Sequence, residues 1–196
     1  MRKGWFISFE GTEGSGKSTQ ILLLAERLRQ AGHAVRLLRE PGGTPIGEEI
    51  RHTLQHSHQN ASMTPEAELL LINASRAQLV REVVRPALAA GEIVVCDRFH
   101  DSTTAYQGYG RRLDLSYVES IIAFATGGTR PDLTLLRWIP AALSEQRRRS
   151  RLPASHPDHG SSPVASSGGA PPRDRMEEAG RDFFELVPLQ VTDYLL

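Results

Sequence analysis

Gly11-Thr12-Glu13-Gly14-Ser15-Gly16-Lys17-Ser18 decides how this chain folds. It follows the phosphate-loop pattern of Gly, four residues, Gly-Lys-Ser/Thr. Before it, Trp5-Phe6-Ile7-Ser8-Phe9 is an apolar, β-prone run; after it, Thr19 to Ala31 reads as a helix carrying Ile21, Leu22, Leu23, Leu24 and Leu28. Strand, glycine loop and helix form the setting the motif needs. The glycines let backbone N–H groups turn inward around a phosphate, and the helix start adds partial positive charge. Lys17 would reach β/γ oxygens, and the Ser18 hydroxyl would ligate Mg²⁺. A glycine-rich turn that binds nothing is disfavoured, because strand, loop, Lys17 and Ser18 are all in place.

Working outward, 196 residues suit one compact domain, residues 1–196, with a small mobile insert. The 23 basic and 23 acidic residues cancel. That balance argues against a nucleic-acid or membrane surface. The single cysteine, Cys96, lies in the run Ile93-Val94-Val95-Cys96 and is expected to be a small buried hydrophobe. A disulfide framework within the chain is impossible, so a reducing cytoplasm is the expected home. The N-terminus leads directly into the first strand, with no signal peptide expected. No apolar run approaches the roughly eighteen residues that span a bilayer.

Ala34 to Leu38 reads as a second strand, ended by Pro41, Gly42 and Gly43. Gly47 to Leu54 reads as a short helix. His52, His56 and His58 lie close together, but no nearby carboxylate completes a tetrahedral site, so a solvated helix end is expected. Thr64 and Pro65 start a long helix as N-cap and first residue, running to about Leu88 or Ala89. Leu69, Ile72, Arg76, Leu79 and Val83 recur on one face. Arg76 is out of place there. Either it snorkels to the surface or it faces a polar ligand, and spacing leaves both open.

Ile93 to Cys96 reads as a parallel strand covered on both faces, leading into Asp97-Arg98. The C-terminal end of such a strand is where open α/β sheets bind ligands. Asp101 to Gln107 reads as a short helical segment broken by Gly108-Tyr109-Gly110. Leu115 to Ala125 is an amphipathic helix, and Pro131 to Leu136 a fourth strand. Ala141 to Arg151 reads as a basic helix entering the Ser/Pro/Gly/His/Ala-rich stretch 153–172, whose composition cannot pack. Basic residues flanking such a stretch suggest a lid, about 147–175, closing over phosphates.

Several motifs then agree. Phe9 to Gln20, Arg39-Glu40-Pro41-Gly42-Gly43-Thr44, Ala74-Ser75-Arg76, Asp97-Arg98, Ala105-Tyr106-Gln107-Gly108 and Asp174-Arg175-Met176-Glu177 stand in this order. Together they resemble the bacterial thymidylate kinases, over about residues 5–187. The resemblance implies a three-layer α/β P-loop fold with a parallel sheet, and transfer of phosphate from ATP to dTMP with Mg²⁺. It implies a homodimer. It places Gly11, Thr12, Glu13, Gly14, Ser15, Gly16, Lys17, Ser18 and Thr19 around ATP, and Ser18 and Asp97 near the metal. It implies Glu13 at the dTMP 3′-hydroxyl, Arg51 and Arg98 on the dTMP phosphate, and Arg76 on the thymine edge. Thr103 and Gln107 would line the base pocket, and Tyr106 would pack near the deoxyribose and disfavour a 2′-hydroxyl. The catalytic set so implied is Lys17, Asp97, Arg98 and a lid arginine, since the loop itself holds no arginine. Arg147, Arg148, Arg149, Arg151 and Arg173 are the candidates, with Arg151 favoured.

Phosphoryl transfer needs in-line positioning and neutralised charge, which arginines and Mg²⁺ supply. Four departures from the family stand out. Ile72 occupies the place of an aromatic that stacks on thymine. Arg137-Trp138-Ile139-Pro140 replaces Leu-Asp before a Val/Ile-Pro pair. The insert 155–172 is long, and no counterpart of the family's last strand and helix is read before Leu196, so a four-stranded sheet is expected. Two other readings are a kinase for another pyrimidine nucleotide and a nucleotide-binding protein without catalysis.

Overall fold

A computed structural model describes residues 4–57, 60–140, 142–143 and 146–147. Strand β1, Trp5–Glu10, runs into the glycine loop and then α1, Lys17–Gln30. Strand β2, Val35–Arg39, leads to α2, Pro45–His56. Thr44 caps α2, its hydroxyl accepting from Gly47 N at 3.0 Å, with Pro45 at the first turn. A 3₁₀ turn, Asn60–Ser62, precedes α3, Pro65–Leu79. The chain continues through a wide π turn, Val80–Val84, into α4, Arg85–Ala89. Strand β3 is Ile93–Asp97; α5, His100–Thr103, widens into a π turn, Thr104–Gly110. Helix α6, Leu115–Thr126, and strand β4, Leu133–Leu136, follow.

The four strands are parallel in the order β2-β3-β1-β4. Alternate strand residues face opposite sides. Phe6, Val94 and Cys96 pack with Leu79, Val80, Val84 and Phe99 on one face; Phe9 and Val95 pack with Ile21 on the other. Helices therefore cover both faces, giving the expected three layers. Cys96 is fully buried, as its apolar run indicates.

The long helix after Thr64 is continuous, but it is not regular. Pro86 has no N–H to donate to residue 82, and its ring crowds that carbonyl. The chain widens to the π turn just before it instead of ending. A second difference is a correction. Gly108-Tyr109-Gly110 does not break the segment after Asp101: the wide turn runs through Gly110, and Arg111 N donates to Tyr106 O at 2.9 Å. An added Cβ at Gly108 would come 2.7 Å from Leu115 Cδ2, the end of a side chain that can turn aside. His52 and His56 are exposed with rings 5.7 Å apart, and the described residues contain no metal-binding group of three or more His, Cys, Asp or Glu. No described helix is long and apolar enough to cross a membrane. Of the basic helix at 141–151, residues 142–143 and 146–147 are helical; the expected lid beyond Arg147 lies outside the described residues.

Candidate active site

Parallel strands all end on one side of the sheet, so β1, β2 and β3 deliver their C-terminal residues to one place. A cavity of about 360 Å³ opens there. It joins the glycine loop to Arg39, Glu40, Arg51, Ile72, Arg76, Asp97, Arg98, Thr103, Tyr106 and Gln107.

The glycine loop takes its shape from backbone freedom at Gly11, φ 133°, where an added Cβ would also strike the Arg137 carbonyl. Lys17 is 8 % exposed, and its ammonium donates to Gly11 O at 2.9 Å and Thr12 O at 3.1 Å. Burial and then Arg98 lower its pKa to about 8, against an opposing pull from Asp97 and other carboxylates. The Thr12 and Ser15 hydroxyl oxygens are buried without partners among the described residues. Buried polar atoms in a loop of this kind await an oxyanion. Gly14, Gly16, Ser18, Thr19 and Glu13 line the same cavity.

Ser18 Oγ donates to Asp97 Oδ2 at 3.4 Å, and Asp97 Oδ1 is buried without a hydrogen-bond partner among the described residues. A hydroxyl and one carboxylate suit Mg²⁺, a hard cation that keeps waters and takes phosphate oxygens rather than an all-protein cage. The residues present fit that ion.

Arg98 has φ 68°, a strained conformation for a side-chain-bearing residue, fixed by its N–H on Phe9 O at 2.9 Å. Its guanidinium donates to Ser102 Oγ at 3.1 Å and Tyr106 Oη at 3.4 Å, and lies 5.2 Å from the Tyr106 ring centroid. Beneath it sits Glu10, 2 % exposed, accepting from Phe99 N at 2.7 Å and Ser102 Oγ at 2.6 Å. Burial, and then Asp101, push the Glu10 carboxyl up to about 7. Arg51 donates to Pro41 O at 2.9 Å and, like Arg98, lines the cavity.

Arg76 does not snorkel. It is 1 % exposed, donating from Nε and Nη2 to Glu40 Oε2 at 2.8 and 2.6 Å. Nη2 also reaches Thr103 Oγ1 at 2.9 Å, and Nη1 reaches Asn73 Oδ1 at 3.0 Å. Burial raises the Glu40 pKa while Arg76 opposes the rise. Arg76, Thr103 and Gln107 thus form one buried polar wall, with Ile72 one turn away on α3.

Among the lid arginines, Arg147 approaches the loop, donating to Gly14 O at 3.3 Å. Arg148, Arg149, Arg151 and Arg173 lie outside the described residues. Arg137 also meets the loop, at Ser15 O, 3.4 Å. Sequence reasoning assigned nothing to Glu10, Glu40, Glu68 or Arg111. Glu10 and Glu40 each carried a signal: an acidic residue closing or just following an apolar strand, next to glycines.

The thymidylate kinase family model matches residues 9–158. A thymidylate kinase of Chlorobium luteolum is 49 % identical over 183 residues, 92 % of this chain and 79 % of that protein. One of Syntrophotalea carbinolica is 55 % identical over 147 residues, 75 % of this chain and 68 % of that protein. The crystal structure of thymidylate kinase from Ehrlichia chaffeensis superposes with a TM-score of 0.65 at 38 % identity, covering 74 % of this chain and 82 % of that one. Glycine loop, buried arginine wall and matching relatives lead to one conclusion: the chain belongs to the thymidylate kinase family.

Proposed function

We propose that this chain transfers the γ-phosphate of ATP to dTMP, giving dTDP and ADP. The observation that carries the reading is the continuity of one cavity from the glycine loop to the wall of Arg76, Thr103 and Gln107. One end suits a triphosphate and the other a pyrimidine base. An oxygen of the dTMP phosphate attacks the γ-phosphorus, and the bond to the β–γ bridging oxygen breaks as ADP leaves.

The chain's own groups align and neutralise this exchange. The loop's inward N–H groups and Lys17 hold the ATP phosphates. Arg98 and Arg51, both lining the cavity, hold the dTMP phosphate. Arg98 starts in a fixed pose, so little ordering is lost on binding. Arg76 donates to the thymine edge from a frame set by Glu40 and Asn73. Tyr106, held against Arg98, packs beside the deoxyribose, and Glu13 meets its 3′-hydroxyl. Ser18 and Asp97 would hold Mg²⁺, which would offset the charge gathered on the phosphates. Arg147, and Arg151 beyond it, supply the lid cation. The working unit is a homodimer, and its place is the cytoplasm, where ATP and a free thiol such as Cys96 coexist.

The test is ADP release with ATP and Mg²⁺, offering dTMP, dUMP, UMP, dCMP and AMP one at a time. Turnover strongly favouring dTMP is expected. No turnover with any of them would overturn the reading.

A further inference from the structure

The strained residue of the site is pinned on both sides. The Arg98 N–H donates to Phe9 O at 2.9 Å, and the next N–H, that of Phe99, donates to Glu10 Oε1 at 2.7 Å. Strand β1 thus ties down both peptide N–H groups flanking a φ of 68°. One oxygen of the Glu10 carboxylate is used in this way. The other, Oε2, accepts from Ser102 Oγ at 2.6 Å.

A serine hydroxyl has one proton and two lone pairs. A charged carboxylate only accepts, so it takes the proton. The lone pairs of Ser102 are left for Arg98, whose Nη1 donates to Ser102 Oγ at 3.1 Å and to Tyr106 Oη at 3.4 Å. Glu10 therefore reaches the guanidinium through Ser102. Among the described residues, Nε and Nη2 of Arg98 have no hydrogen-bond partner, and Arg98 and Ser102 both line the cavity. The Nε–Nη2 edge carries two parallel N–H bonds, the geometry that grips two oxygens of one phosphate.

We infer that Glu10 is a positioning residue: by setting the Ser102 hydroxyl it holds Arg98 at Nη1 and leaves the Nε–Nη2 edge to the phosphate of the acceptor nucleotide. This rests on the reading that dTMP is the acceptor and that Arg98 meets its phosphate. An arginine already held gives up little side-chain freedom on binding. Releasing it weakens the grip on the phosphate and spares the base and sugar contacts.

The experiment measures the dTMP KM, the ATP KM and the inhibition constant of thymidine, which has the base and sugar of dTMP and no phosphate. It is run at pH 8, where the Glu10 carboxyl, pushed up to about 7 by burial and then Asp101, is mainly charged. In Glu10→Gln the new amide oxygen still accepts from Phe99 N. The amide nitrogen now donates to Ser102, whose own proton loses its acceptor. The dTMP KM is expected to rise about ten-fold, the worth of one hydrogen bond to a charged group, with the ATP KM and the thymidine constant within about two-fold of wild type. Ser102→Ala should show the same split. The double variant should be no worse than the weaker single one, because both changes break one link. An unchanged dTMP KM in Glu10→Gln would overturn the inference. So would a thymidine constant that rises in step with it, the mark of a merely structural role, or losses that add in the double variant. Should Glu10→Gln fail to fold, Ser102→Ala decides by the same comparison of dTMP with thymidine. A wild type that releases no ADP with dTMP would instead remove the functional reading itself, and the inference with it.

Discussion

Two buried ionisable residues, Lys17 on the cavity wall and Glu10 beneath Arg98, titrate against stability, and both signs can be worked out. Lys17 has a pKa near 8 where an ordinary lysine stands at 10.5, because burial disfavours its charge. Between those values the unfolded chain binds more protons, so stability rises with pH across that window, and the cost is fully present below it. Lys17→Met should therefore lose turnover by at least about a hundred-fold, yet be no less stable than wild type in urea at neutral pH, with its relative advantage shrinking toward pH 10. Glu10 is the mirror case. Its pKa of about 7 stands above the ordinary 4.5, so the folded chain binds more protons between the two and stability falls as pH rises through that range. The gap in urea midpoint between Glu10→Gln and wild type should move in the variant's favour from pH 5 to pH 8. A flat gap would place the carboxyl's titration elsewhere. Both are costs tolerated in a candidate site: an ammonium held on Gly11 O and Thr12 O in the glycine loop, and a carboxylate that ties Phe99 N and Ser102 beneath Arg98.

At the scale of elements, the β1–α1 loop tolerates least. Gly11 combines φ 133° with the close approach of the Arg137 carbonyl, so Gly11→Ala is strained both ways. It should cost about 2 kcal/mol or more in chemical denaturation, and raise the ATP KM. Helix α3 offers the opposite chance. Ile72 lines the cavity one turn before Arg76, where an aromatic ring could stack on the base. Ile72→Phe should lower the dTMP KM about five-fold, as about 1 kcal/mol of stacking would; an unchanged KM would sink that idea. Much at this scale was legible in the sequence. Short apolar runs, helical spacing and turn residues placed all four strands and the helices between them, because those signals are local. Arg76 was legible as an anomaly but not as an answer: its partners Glu40 and Thr103 lie 36 and 27 residues away. Glu68 drew no reading, because its partners Gln107 and Arg111 lie 39 and 43 residues further on. The wide turns at Pro86 and Gly108 were read as a plain helix and a break. The first follows from Pro86 itself, which lacks an N–H and widens the turn before it instead of ending the helix; the second runs on through Gly110 despite its glycines.

At the scale of the molecule, helices α3 and α6 pack through Leu69, Val118 and Ile122, while α6 turns a different row outward. Tyr117 and Phe124, two turns apart, are 70 % and 81 % exposed, and Leu70 on α3 is 57 % exposed, while Ile121 between the two aromatics is partly buried against the α3–α6 contact. Single exposed apolar side chains need no explanation, but an aromatic row on a helix of a small domain suggests a covered face. A second copy of the same chain is the occupant that the family resemblance implies, and a two-fold axis would set the α6 row against its own copy. Phe124→Arg should then shift sizing and ultracentrifugation from dimer to monomer without lowering the thermal midpoint of the dilute protein, because Phe124 makes little contact within its own chain. The cavity belongs to a single chain, so kcat per subunit should fall less than about two-fold unless α3, which carries Arg76 and Ile72, relies on the partner for its position. A monomeric wild type would end the idea. A monomeric variant with a raised dTMP KM would tie base binding to assembly through α3, the one element common to the packed face and the base wall.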